Sequence, residues 1–168
     1  MCQMCEGQSR AEVLADLRLR IDRFGWADMS VGADWSAPGF TYTIGLVEYG
    51  HPELLVLGRP PYEAGALVNE LAALVTDGHG HHFLPGMQFT VRGLEVELVQ
   101  VDRSNNWLVM AEELYGRAVP ALQVVWADAD HSFPWQRAET GPERQRVLGS
   151  PVSQVPVPRS SPLAHTRN

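Results

Sequence analysis

Apolar residues first recur at helical spacing, with Leu14, Leu17, Ile21 and Phe24 on one face behind Ser9 and Glu12 in the S-x-x-E arrangement of a capping box. This predicts a helix that Gly25 ends. The period then shortens to two: Trp26 to Val31 alternates, and Phe40, Tyr42, Ile44 and Leu46 point one way while Thr41, Thr43 and Gly45 point the other. Glu48 to Pro52 reads as a turn. Leu54 to Leu57 is continuously apolar, as expected of a strand covered on both faces. Pro60 and Pro61 open a second helix with Leu67, Leu71, Leu74 and Val75 as its stripe, stopped by Asp77 and Gly78. Met87, Phe89 and Val91 alternate up to an Arg92-Gly93 turn, and Leu94, Val96 and Leu98 return as a hairpin. Asn105 or Asn106 caps a third helix ending at Tyr115 and Gly116, Ala121 to Trp126 is a last inner strand, and Phe133 with Trp135 closes the fold.

This order lacks regular βαβ alternation and predicts an α+β fold: a mostly antiparallel, curled sheet or half-barrel of about six strands flanked by three helices. Residues 1–136 form the expected single domain. From residue 137 periodicity is lost, no aromatic residue remains, and five of the twelve prolines fall beyond it, so 137–168 is expected to be a disordered Arg/Pro-rich tail.

Charge narrows the range of functions. The formal net charge is −7, and because residues 137–168 hold five Arg against two Glu, the first 136 residues are more acidic still. An acidic body repels phosphate backbones, which argues against nucleic acid as a partner. All thirteen cations are Arg, so Schiff-base lysine chemistry is excluded. No apolar run is long enough to span a membrane, and the start lacks the order of a secretory signal; a cytoplasmic protein is expected. The Arg/Pro tail offers a place for a protein partner.

Three groups of residues carry candidate chemistry. Cys2 and Cys5 form a C-x-x-C whose sulfurs can face one point, half of a tetrahedral zinc site or a redox dithiol; the same letters also describe a frayed terminus with two thiols. His79 and His81 lie two apart in a Gly-containing loop, a second source of ligands for zinc or another transition metal. Tyr42, His51 and Glu53 fall on two neighbouring strands and their turn, where a hydroxyl, an imidazole and a carboxylate can converge for acid-base work. A charged residue opening a buried strand is a poor choice for packing alone. No dinucleotide, P-loop, nucleophile-elbow or zincin motif occurs.

Several short motifs in order, Cys2-x-x-Cys5, Gly25-Trp26-Ala27, Tyr42-Thr-Ile-Gly-Leu46, Gly50-His-Pro-Glu-Leu54, Leu114-Tyr-Gly116 and Leu122-Gln123, resemble the bacterial domain-of-unknown-function family 4262 over roughly Met1 to Trp135. The resemblance implies a small stand-alone cytosolic protein and brings no activity with it. The strand-turn-strand-helix order from Tyr42 to Val75 is also similar to flavin-binding split barrels, which implies flavin as an alternative cofactor. The resulting expectation is a domain that binds a small molecule or metal near residues 40–57, with or without catalysis; the alternative is a non-catalytic protein-interaction module.

Overall fold

The computed structural model of the protein describes residues 9–78, 80–137 and 145–154. The main elements are α1 (Arg10–Phe24), β1 (Ala27–Val31), β2 (Phe40–Ile44), β3 (Glu53–Leu57), α2 (Pro61–Thr76), β4 (Gln88–Val91), β5 (Leu94–Gln100), α3 (Val109–Tyr115) and β6 (Ala121–Trp126), with short 3-10 turns between some of them. The fold is α+β. Its six strands lie in the order β1-β2-β3-β6-β5-β4. Neighbours are antiparallel except β3 and β6, which run parallel with Glu53 opposite Ala121. The parallel pair follows from the long crossover through α2, the β4–β5 hairpin and α3. Because β1 and β4 remain as edges, the sheet is open and does not have the closure of a split barrel.

Local signals explain the elements. The capping box at the start of α1 is formed: Glu12 accepts from the Ser9 N–H at 2.7 Å and the Ser9 hydroxyl accepts from the Glu12 N–H at 3.3 Å. The hairpin turns at Arg92 and Gly93, both at positive φ (50° and 76°), the primed geometry that matches strand twist. The third helix is shorter than its sequence suggests. Ser104–Asn106 forms a separate 3-10 turn, tied down by the Ser104 hydroxyl donating to the Val119 carbonyl, and α3 starts only at Val109.

Packing divides by strand parity. On β3, Leu54 and Val56 join Leu67, Val68, Leu71 and Val75 of α2, whereas Leu55 and Leu57 join Val13, Leu17 and Ile21 of α1 and Met110 and Ala111 of α3. The sheet is therefore covered on both faces, each buried Leu or Val contributing about 1.5–3 kcal/mol. Strand β2 departs from expectation: Thr41 and Thr43, on the face read as outward, are buried as well.

Residues 145–154, expected to lie in the tail, run along the α1/α3 side of β5 and β6 as a strap. Gln123, fully buried in β6, is the reason. Its side-chain amide donates to the Arg146 carbonyl at 2.7 Å and accepts from the Leu148 N–H at 2.8 Å, bonding the strap as a neighbouring strand would. Asp102 N–H donates to the Leu148 carbonyl at 2.9 Å, Leu148 is buried, and the Ser153 hydroxyl donates to the buried Glu97 at 2.9 Å. A run without periodicity is fixed here by partners more than twenty residues upstream.

Candidate functional site

The β2–β3 corner holds His51 and Glu53, and it is closed. Gly45 sits at φ 130°, where a Cβ would come within 2.7 Å of the Gly25 carbonyl oxygen, so the turn that follows approaches α1's end as only glycine allows. That turn aims its N–H groups at Glu53, whose Oε1 accepts from Gly45 at 2.9 Å and Val47 at 3.2 Å. Oε2 accepts from the Thr43 hydroxyl at 2.7 Å, and Thr43 in turn accepts from the Leu54 N–H at 2.8 Å. Glu53 is 0% exposed. Burial pushes its carboxyl up to about 7, against the opposing pull of the Thr43 hydroxyl and the turn's N–H groups.

His51 is 1% exposed and equally engaged. Its Nε2 accepts from the Phe83 N–H at 3.0 Å, which leaves the proton on Nδ1 to be donated to the Pro52 carbonyl at 2.5 Å. Burial lowers its pKa and favours this neutral ring. The two side chains thus serve different backbone segments and do not join in an accessible hollow. A carboxylate opening a buried strand is explained by the turn it caps.

Of the metal-ligand candidates, Cys2, Cys5 and His79 lie outside the described residues. His81 is exposed, and no group of three or more His, Cys, Asp or Glu side chains is placed to hold a metal among the described residues.

Tyr42 belongs elsewhere. It lines a cavity of about 900 Å³ on the α1/α3 side of the sheet, within the size range of small-molecule sites. Helix α1 contributes Arg10, Val13 and Arg20; β1 contributes Asp28 to Val31; the following loop contributes Asp34, Ser36 and Ala37. Phe40 and Tyr42 form the floor, Asn106, Trp107, Val109 and Met110 the opposite wall, and Arg146 of the strap completes the rim. Phe40 stacks on Tyr42 at 6.0 Å and meets Trp107 edge-on at 5.3 Å. Arg20 donates to Asp28 at 2.8 Å in a partly buried pair. The Tyr42 hydroxyl accepts from the Met110 N–H at 3.3 Å and donates to the Met29 sulfur at 3.5 Å, a weak acceptor. Burial raises the Tyr42 pKa well above its ordinary value, so the hydroxyl is a neutral donor and no base.

These residues come from four stretches far apart in sequence, 10–20, 28–42, 106–110 and 146, and Tyr42 alone among them is a candidate site residue by sequence. Trp107, two residues before α3 and partly buried, is a large ring that the sequence offered only as core. Fold and site together define an open-sheet α+β domain with a lined cavity on one face. The chain belongs to the family described as domain of unknown function DUF4262, whose model matches residues 20–140. No curated protein and no solved structure matches it.

Proposed function

We propose that this protein binds a small organic molecule in the cavity between α1, β1–β2, α3 and the strap. The observation that carries this reading is the cavity itself: about 900 Å³ with an aromatic floor, a few polar groups at its walls and a Tyr42 donor held only by a thioether. Small-molecule sites combine a mostly apolar lining with a small number of placed polar groups. The strand–turn–strand region at residues 40–57 takes part through Phe40 and Tyr42, while His51 and Glu53 act as supports for the turn.

Native mass spectrometry of the untagged chain as isolated tests this, together with ligand-observed NMR against a mixed fragment set. The expected result is a bound small molecule or fragment, lost in Ala37→Trp, which fills the cavity from the loop side. Apoprotein mass alone with no fragment bound overturns the reading.

A protein-interaction role is favoured by one further observation. Trp35, in the loop beside the cavity, is 99% exposed, a ring with an apolar body and a polar N–H of the kind enriched at interfaces. Under this second reading Trp35→Ser abolishes capture of a protein partner and leaves fragment binding intact.

A further inference from the structure

We infer that the cavity takes a planar aromatic molecule bearing a single carboxylate, the ring lying against Phe40 and Trp107 and the acid meeting Arg146; this rests on the small-molecule reading above. Three guanidiniums line the cavity, and they are not equivalent. Arg10 is paired with Glu113, and Arg20 is paired with Asp28, donating also to the Asp28 carbonyl at 3.3 Å. Arg146 has no carboxylate partner among the described residues.

The position of Arg146 is nonetheless fixed. Its own carbonyl is held by Gln123, the next residue but one is held by the same amide, and its guanidinium lies over the Trp107 ring at 5.2 Å from the centroid. A cation stacked on a ring in the lining of a cavity suits a planar anion, because a carboxylate accepts two parallel hydrogen bonds from the guanidinium fork.

Charge count selects the valence. Asp34 is held by the Ser36 and Ala37 N–H groups of its own loop, and with Arg10 paired to Glu113 and Arg20 to Asp28 the lining keeps one guanidinium for an anion, that of Arg146. A mono-anion matches it; a polyphosphate meets two carboxylates without compensating cations. The ring requirement comes from the floor and wall: Phe40 and Trp107 stand at 79° to one another and enclose a corner that a flat ring fills by stacking on one and meeting the edge of the other.

Three probes separate the parts of this inference in titrations of the untagged full chain, followed by calorimetry and tryptophan fluorescence. They are 2-naphthoate, its neutral counterpart 2-naphthamide, and cyclohexanecarboxylate, an acid without an aromatic ring. Naphthoate is expected to bind at least about tenfold more tightly than either of the others, as a charged hydrogen-bonded pair implies. Arg146→Gln should bring naphthoate down to the level of naphthamide and leave naphthamide unchanged. Arg92→Gln, on the distant hairpin, should alter neither. Circular dichroism of both variants checks that the fold is kept.

Equal affinity for naphthoate and naphthamide, or no response to Arg146→Gln, overturns the acid assignment. Equal affinity for naphthoate and cyclohexanecarboxylate overturns the ring assignment. If none of the probes binds while a neutral fragment does, the ligand class falls and the cavity reading stands; if no small molecule of any kind binds, both fall.

Discussion

The β2–β3 corner and the cavity on the α1/α3 face both contain polar side chains inside the protein, yet they use them in opposite ways. At the corner, Thr43, His51 and Glu53 come from one eleven-residue stretch, and their bonding groups are satisfied by one another, by backbone from the same turn and by the Phe83 N–H. Around the cavity, residues from α1, β1, β2, α3 and the strap converge, and Tyr42 and Arg146 keep donors that better partners can take. Polar residues close together in sequence are the ones a tight turn can use for itself. A binding hollow needs walls from separate elements, so its residues are scattered along the chain.

The largest expected effect that sharpens this contrast is at Glu53. Glu53→Ala strips the acceptor from at least three buried donors and should destabilise the protein by about 3 kcal/mol or more, whereas Glu53→Gln keeps one oxygen and should cost about half as much. Urea unfolding measures both. If Glu53→Ala folds with unchanged stability but loses ligand binding, the corner is a site and the contrast fails.

Gln123→Ala comes next. It removes two hydrogen bonds to the strap and leaves a void at a fully buried position, which should cost about 2 kcal/mol. Hydrogen exchange at the Leu148 amide should accelerate more than exchange within β5, because the strap opens while the sheet persists.

The pH dependence of stability separates the two corner residues by sign. The folded value for Glu53, about 7, lies above its ordinary 4.5, so the folded chain holds the extra proton; the associated stability is fully present below pH 4.5 and is lost as pH rises through 7. His51 is shifted down from 6.5, so its contribution is present above that value and is lost as pH falls below it. The two slopes oppose each other between these limits. Glu53→Gln should therefore leave stability that rises with pH from 5 to 7, where the parent protein is flatter. A falling profile in the variant would contradict the neutral, backbone-bonded His51.

The smallest effect is expected at Arg20. Its pair with Asp28 is partly solvated, so Arg20→Met should change stability by no more than about 1 kcal/mol in urea unfolding.

Most of the architecture was legible because hydrophobic period and turn chemistry act locally. The Ser9–Glu12 cap, the covered strand Leu54–Leu57 and the Arg92-Gly93 turn are each set by residues a few positions apart. The stacked Phe133 and Trp135, 5.0 Å apart, were equally readable as a closing pair. What was not legible depends on distant partners. Thr41 and Thr43 look like a solvent face, yet Thr43 is buried by its bonds to Glu53 and Leu54. Nothing in the aperiodic run 145–154 announces that an amide in β6 bonds to it, and without that strap neither the Arg146 rim nor the cavity can be inferred.

The lock between Gln123 and the strap also bears on how the chain is made. The amide leaves the ribosome 23 to 25 residues ahead of its two partners, an interval of about one to five seconds at ordinary rates of synthesis. Until residues 146–148 are made, the Gln123 amide has only water to serve it, so this side of β6 can be completed only late in synthesis.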